Sequence, residues 1–180
     1  MPTAVTHILV PLILVALYRD YVLSDKERRS FPLHYVLIAG LGGALPDLDI
    51  GAFWILHWFG FTLEQVHRTA FHSIFVPLIL LGLAFLFSKV KIGELGRHKL
   101  TLSKIFVMLA IGTVAHICLD GFVSGDVDLF APFSDFSFGF NLVGYLPPEL
   151  SGLAIATMEG ILLIFWLVYL EWKHKISDFI

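Results

Sequence analysis

The chain has few of the residues on which several kinds of protein depend. It contains one cysteine, Cys118, in 180 residues, so it can form neither an internal disulfide nor a cysteine-based zinc cluster. Charged residues make up 15% of the sequence, and the formal net charge is −3. There is no basic stripe with interleaved aromatic residues, which argues against binding to nucleic acid.

Apolar sequence takes the place of the missing charge. Hydrophobic residues make up 57% of the chain, whereas a water-soluble domain of this size needs more polar surface, so the lipid bilayer is the predicted solvent. The length leaves no room for a second full domain. We therefore expect a single transmembrane domain over residues 1–180, of the all-α class.

Five stretches have, or nearly have, the roughly 20 mostly apolar residues that a membrane-spanning helix needs. They predict a polytopic bundle of about five transmembrane helices. The second stretch contains Pro46-Asp47-Leu48-Asp49, and we predict that this span breaks there, where protein or water must satisfy the freed backbone groups. The stretches are residues 4–23, 33–59, 70–88, 102–122 and 152–170.

The basic residues predict the orientation of this bundle. No basic leader precedes the first apolar run, so we interpret that run as a retained helix with its N-terminus outside. Eleven of the twelve basic residues then fall on the cytoplasmic side, as the positive-inside rule requires, and Arg68 is the exception. The eleven are Arg19, Lys26, Arg28, Arg29, Lys89, Lys91, Arg97, Lys99, Lys104, Lys173 and Lys175.

Eight ionisable side chains lie in the apolar stretches or at their edges, although each costs roughly 2.5–3.5 kcal/mol near the bilayer centre. Singly, each has a structural explanation: a lone histidine packs with a hydrogen bond, and Asp47 caps a helix. Positions counted along the spans nevertheless put all eight in the predicted outer half. We therefore predict one shared metal site, whose ligands are His7, Asp47, Asp49, His67, His72, His116, Asp120 and Glu159.

The spacing of these residues fits metal ligation. His116 and Asp120 are four apart and share a helix face. His67 and His72 are five apart and converge only if His67 precedes the helix. Imidazole and carboxylate without thiolate suit zinc, manganese or iron(II), with zinc as the default. Eight candidates exceed the needs of one tetrahedral ion, so two or more divalent ions are compatible with the set.

Three residues are predicted to take part in catalysis. Asp47 and Asp49, on either side of the break, either serve different ions or include a bridging ligand, and one of them is expected to accept a proton as general base. Two roles for Arg68 are compatible with the sequence. It either extends to the headgroup level or binds a substrate phosphate or carboxylate through its planar guanidinium.

Several short motifs occur in an order that resembles a known family. They are Thr6-His7, Pro46-Asp47-Leu48-Asp49, His67-Arg68 with His72-Ser73, His116-x-x-x-Asp120-Gly121 and Leu129-Phe130-x-Pro132. Over residues 3–135 they resemble the YdjM-like family of bacterial and archaeal inner-membrane proteins. The resemblance implies a metal-dependent hydrolase in the prokaryotic cytoplasmic membrane.

A second likeness is more remote. The arrangement is similar to that of zinc-dependent phospholipase C enzymes, which are all-helical and bind clustered zinc through histidine, aspartate and glutamate. On that likeness Glu159 would be a late ligand. The chain departs from those enzymes because it lacks their N-terminal tryptophan ligand and their dense later histidines.

Two classes of function follow from these observations. The leading hypothesis is a membrane-embedded, metal-dependent hydrolase that acts on a lipid or lipid-linked phosphoester at the outer leaflet, with membrane lipids as its partners. The rival is a metal-ion transporter or a metal-stabilised scaffold without catalysis. The inner halves of the spans are apolar apart from their ends, which favours a site over an ion pathway.

Overall fold

The residues that the structure describes are mainly helical, as the sequence predicts. A computed structural model describes residues 3–67, 70–89, 95, 100–134 and 136–175. Two short strands pair in antiparallel register, with Val127 opposite Phe138. The helices are α1 (Ala4–Leu17), α2 (Asp25–Arg29), α3 (Leu33–Ala44), α4 (Leu48–Leu56), α5 (Leu63–Val66), α6 (Phe75–Lys89), α7 (Leu102–Leu119) and α8 (Pro148–His174), and the strands are β1 (Val127–Asp128) and β2 (Ser137–Phe138).

Short segments of different winding extend or join these helices. α1 continues as a π-helix over Tyr18–Val22, and α7 continues as a π-helix over Asp120–Ser124. A 3-10 turn at His57–Phe59 follows α4, another at Ala70–His72 precedes α6, and a third at Leu142–Tyr145 precedes α8.

Among the residues that the structure describes, three helical segments are long and apolar enough to cross a membrane. They are Ala4–Val22, Leu102–Ser124 and Pro148–His174. A fourth span results if Leu33–Ala44 and Leu48–Phe59 are taken as one, since these helices are bent by 41° at a short break. The break lies at Pro46, where the sequence predicts it.

The fifth predicted span is shorter than expected. α6 has 15 residues, or about 22 Å of helix, because the 3-10 turn at Ala70–His72 and the residues after it form the start of the predicted stretch. Length and composition therefore support three or four spans, and the fifth stays a prediction.

The backbones of α1, α3 and α7 approach one another closely at glycines. A Cβ atom on Gly43 would meet the His7 carbonyl and the Pro11 ring, and one on Gly112 would meet the Ala39 carbonyl. Small residues allow such close packing between helices in membranes. The glycines of α3 and α7 thus fix the distance between the three helices that form the centre of the bundle.

An apolar core separates two polar clusters along α1. One cluster surrounds His7, and the other surrounds Asp20, 13 positions later, or about 20 Å at helical rise. The buried core between and around them is Leu12, Val15, Ala16, Tyr35, Val36, Ala39, Met108 and Tyr169.

The cluster at Asp20 was not expected from the sequence. Asp20 is buried and accepts hydrogen bonds from Tyr169 Oη at 2.6 Å and from His174 Nε2 at 3.0 Å. It also forms an ion pair with Arg19. Because Tyr169 and His174 belong to α8, this cluster attaches the end of α8 to α1.

Close packing at Gly43 gives a testable prediction. We expect Gly43→Ala to lower the free energy of unfolding by about 1–3 kcal/mol, because the new methyl group overlaps the His7 carbonyl. Gly51→Ala is the matched control, since a Cβ at helical Gly51 meets nothing within 4 Å. Thermal or denaturant unfolding of the detergent-purified chain measures the difference. Equal stability of the two variants would contradict the packing argument.

Candidate metal centre

Four parts of the fold meet at the His7 end of the bundle. α1 contributes one histidine, the break before α4 contributes two carboxylates, the connection from α5 to α6 contributes two histidines, and the end of α7 contributes a histidine and a carboxylate. The side chains brought together are His7, Asp47, Asp49, His67, His72, His116 and Asp120.

Three of these side chains present ligand atoms at the spacing of a metal site. The Nε2 atoms of His72 and His116 lie 3.1 Å apart. Asp120 Oδ2 lies 3.5 Å from the first and 3.4 Å from the second. A tetrahedral ion with 2.0–2.1 Å ligand bonds separates its ligands by about 3.3 Å. The triangle therefore matches one face of a tetrahedral zinc site.

Asp47 extends this triangle toward solvent. Its Oδ1 lies 3.7 Å from His116 Nε2 and 3.9 Å from His72 Nε2. Asp47 occupies the N-cap position of α4, yet its side chain makes no capping hydrogen bond. The carboxylate is thus directed to the cluster and does not serve as the helix cap that a lone aspartate at this position usually provides.

The ligand atoms form three overlapping groups, each within 4.8 Å. His116 joins the first group to the third, His72 joins the second to the third, and Asp47 joins the first to the second. This linkage allows one ion with alternative ligands or two neighbouring ions that share a ligand. The groups are His7 with Asp47 and His116, Asp47 with His67 and His72, and His72 with His116 and Asp120.

The ring of His116 is held in one orientation by the backbone of α3. Its Nδ1 donates a hydrogen bond to the Gly43 carbonyl at 2.6 Å, and the ring stacks on that of His7 at a centroid distance of 3.7 Å. A proton on Nδ1 leaves Nε2 with a lone pair in the neutral ring. Metal-binding histidines are usually oriented in this way by a carbonyl or carboxylate.

The polar contacts between these rings are of a kind that a divalent ion could satisfy. Three contacts run in series: Gly43 O to His116 Nδ1, His116 Nε2 to His72 Nε2, and His72 Nδ1 to Asp49 Oδ2 at 3.2 Å. Two neutral imidazoles supply two protons, and the contact of His72 Nδ1 with Asp49 has an ion-pair distance without an aligned hydrogen bond. A divalent ion at the two Nε2 atoms would satisfy the contact between the rings, and a proton on either ring is the alternative. The donor set, with Asp120 and Asp47 facing the same two nitrogens, fits the ion.

Asp49 contacts two histidines and does not join the three groups. Its Oδ1 lies 2.9 Å from His67 Nδ1. Its contact with His72 Nδ1 is electrostatic, because that nitrogen has no aligned hydrogen bond. This position suits a carboxylate that orients His67 and His72. The sequence predicted a ligand or a general base here.

The connection before α6 resolves the five-residue spacing of its histidines. His67 is the C-cap residue of α5, with extended backbone, and His72 ends the 3-10 turn. Their rings meet edge to face at a centroid distance of 5.0 Å. His67 therefore precedes the turn and the helix, which is the condition under which the sequence expects the two histidines to converge.

The end of α7 places its two side chains through a change of winding. His116 lies in the last turn of α7, and Asp120 begins the π-helix that follows. Such π-helical turns are frequent at functional sites.

Gly121 makes room for the ring of Phe138, since a Cβ there would lie 2.6 Å from two ring carbons. The strand β2 is thereby packed over the end of α7.

Burial identifies the accessible side of the centre. The side chains of His7, His72, His116, Asp49 and Asp120 are at most 2% exposed. Two others are more open: the side chain of His67 is 13% exposed and that of Asp47 is 21% exposed.

Two predicted site residues are not part of the cluster that the structure describes. Glu159 Oε1 accepts hydrogen bonds from Thr3 N at 3.1 Å, from the Thr3 hydroxyl and from Thr6 Oγ1 at 3.1 Å. It is absent from the three ligand groups formed by the described residues. Arg68 lies outside the described residues.

Sequence reasoning missed the part that the backbone plays. Gly43 supplies the carbonyl that orients His116. Every residue has a backbone carbonyl, so the residue type does not show which carbonyl takes part in a site. The pair Gly42-Gly43 inside an apolar stretch was the one available sign, because paired small residues in a span indicate close helix contact.

Metal content provides a direct test of this centre. We expect the purified protein to hold at least about one divalent ion per chain, and His116→Ala to lower its metal affinity by roughly 10–100-fold or more. His57→Ala is the control, because His57 is exposed and its ring contacts Phe53. Elemental analysis after dialysis measures both. Equal metal content in wild type and His116→Ala would favour the extra proton over the ion.

Comparison with known proteins identifies the family. Neither the curated proteins nor the solved structures include a match, so the remote similarity to phospholipase C is not shown. The profile described as YdjM inner membrane protein matches residues 1–176, which is nearly the whole chain. The resemblance seen in the ordered motifs is thus confirmed, and the chain belongs to the YdjM inner membrane protein family.

Proposed function

We propose that the protein is a membrane-embedded, metal-dependent hydrolase that cleaves a lipid or lipid-linked phosphoester at the outer leaflet. The observation that carries the proposal is the buried contact between His72 Nε2 and His116 Nε2, 3.1 Å apart with Asp120 Oδ2 beside both. Nitrogen and oxygen lone pairs that face one another in a buried site are stabilised by a cation between them.

The proposal includes a bundle of five spans with the N-terminus outside. The distribution of basic residues supports this orientation. α6 reaches the length of a span when the preceding turn is added, since residues 70–89 number 20. In this orientation the candidate centre faces the outer leaflet, and the Asp20 cluster faces the cytoplasm.

His72, His116 and Asp120 would hold the principal ion, and three protein ligands would leave it a position for water, as in catalytic zinc sites. A divalent ion, zinc by preference, polarises a phosphoryl oxygen and activates water when it is bound. Asp49 keeps His67 and His72 oriented.

Asp47 is the residue best suited to move a proton. Its side chain is the most exposed of the cluster and lies within 4 Å of two imidazole nitrogens. A carboxylate at the open edge can accept a proton from an entering water and release it to solvent. Arg68, next to His67 in the sequence, is proposed to bind the substrate phosphate through its guanidinium.

The surroundings of the open edge support a lipid substrate. α4, which starts beside Asp47, and the 3-10 turn after it carry aromatic side chains that are highly exposed: Trp54 at 71%, Trp58 at 87% and Phe59 at 75%. Exposed aromatic rings collect at the headgroup level of membranes. The open edge of the centre is therefore expected to meet lipid headgroups.

The apolar core of the bundle argues against the rival function, metal transport. A pathway across the membrane needs polar groups along its whole length. Between the His7 and Asp20 clusters the described core is apolar and includes Leu12, Val15 and Ala16.

Hydrolysis is tested with purified protein after metal has been restored. We expect release of a headgroup or phosphate from a panel of phospholipids, lysolipids and polyprenyl phosphates, and a loss of roughly 10²–10⁴-fold in Asp47→Asn. Asp126→Asn is the matched control, since Asp126 is exposed in the loop before β1. Absence of turnover across the panel, in wild type and variant alike, would refute the hydrolase.

Transport is tested separately in liposomes. We expect no flux of zinc or manganese above that of protein-free liposomes, because the apolar core separates the two clusters. Flux that is present in wild type and lost in Asp120→Ala would establish the transporter instead.

A further inference from the structure

We propose that a cavity at the end of α1 remote from the candidate metal centre binds a phosphate group, carried by an anionic lipid headgroup or present as the free anion. This arginine cavity has a volume of about 410 Å³ and is lined by Arg19, Asp25, Arg28 and Arg29. It is independent of the proposed function, because Arg19 lies 12 positions after His7, or about 18 Å along the helix.

The fold brings the three arginines together from two helices. Arg19 belongs to the π-helical end of α1, whereas Arg28 and Arg29 end α2. The Nε atom of Arg19 donates a hydrogen bond at 2.8 Å to the carbonyl of Phe31, in the connection between α2 and α3. The side chain of Arg19 is 14% exposed, and Arg29 is exposed. Arg19 is therefore the inner member of the set and Arg29 the outer one.

The positive charge of the arginine cavity is only partly compensated. Arg28 forms an ion pair with Asp25, and Arg19 forms one with Asp20. Arg29 forms no hydrogen bond or ion pair with any residue that the structure describes. Within the same part of the chain, Nη2 of Arg19 donates no hydrogen bond either. Excess positive charge and N–H donors without a protein acceptor together indicate an anionic ligand.

The chemistry of guanidinium selects phosphate among anions. A planar guanidinium can donate two parallel hydrogen bonds to one phosphate, and it is weakly hydrated for a cation. Arginines on two helices can contact different oxygens of the same phosphate. The same charges repel metal ions, so this cavity and the His7 end of the bundle differ in the ligands that they attract.

The surroundings of the cavity favour a lipid as the source of the phosphate. Tyr18 and Tyr21, on either side of Arg19 and Asp20, are 49% and 56% exposed. Lys173 Nζ lies 5.0 Å from the centroid of the Tyr21 ring. Exposed tyrosines collect at the headgroup level of membranes, and basic pockets beside membrane helices bind anionic headgroups.

Selective binding of phosphatidylglycerol tests the site. Native mass spectrometry of the detergent-purified full chain measures the binding of this lipid, with phosphatidylcholine as the lipid of zero net charge. We expect phosphatidylglycerol to bind at least about fivefold more tightly than phosphatidylcholine, and Arg29→Gln to remove about fivefold of its affinity. Asp25→Asn should change the affinity in the opposite direction, because it removes the negative charge from the lining.

The matched control is a second basic residue of α2. Lys26 is exposed and does not line the cavity, so Lys26→Gln removes the same charge from the same helix and should leave the affinity within about twofold. Equal thermal unfolding of the two variants and the wild type checks that the fold is intact. An equal loss of affinity in Lys26→Gln and Arg29→Gln would indicate attraction to surface charge in general and would overturn the proposal.

Inorganic phosphate distinguishes the two sources of the ligand. Isothermal titration calorimetry of the delipidated chain measures its binding in the same variants. Saturable phosphate binding that Arg29→Gln weakens and Lys26→Gln spares, without a preference for phosphatidylglycerol, would support the site and assign it to the free anion. Selective binding of phosphatidylglycerol with that variant pattern would assign it to the lipid. Absence of binding by both probes would refute the site.

Discussion

The close approach of α1, α3 and α7 is the constraint on which the rest of the structure depends. Where Gly43 passes the His7 carbonyl, no side chain larger than hydrogen fits, and the freed space brings the Gly43 carbonyl to His116 Nδ1. The same contact stacks His7 on His116. The glycine contact that packs the helices is therefore the same contact that orients the candidate ligands. Van der Waals contact between small residues is a main source of helix association in membranes.

The buried ligand atoms impose a second requirement. Carboxylates and imidazole lone pairs cannot remain in an apolar bundle without compensation. The proposed divalent ion would supply that compensation at the His7 end of the bundle. At the other end of α1, Asp20 is compensated by Arg19, Tyr169 and His174, so the same rule there attaches α8.

Particular residues show how far the sequence could lead. The break at Pro46 and the shared face of His116 and Asp120 follow from local rules for proline and helix period, and they were predictable. The sequence left the convergence of His67 and His72 conditional on His67 preceding the helix. The short α6 was not predictable, because hydropathy does not record where a helix gives way to a 3-10 turn. Glu159 was grouped with the ligands by its depth and by the remote likeness to phospholipase C. Its contacts with Thr3 and Thr6 depend on the rotation of α8 about its axis, which position along the chain does not fix.

The sequence by itself determined the solvent of this protein, its helical class and the set of polar residues to be brought together, since composition and period act locally along the chain. The tertiary structure alone decided that Asp47 faces the Nε2 atoms of His72 and His116. It also decided that Asp49 faces the Nδ1 atoms of His67 and His72. Finally, it decided that a backbone carbonyl holds His116. These outcomes depend on distances between helices far apart in sequence, and those distances are set by the packing of whole backbones against one another.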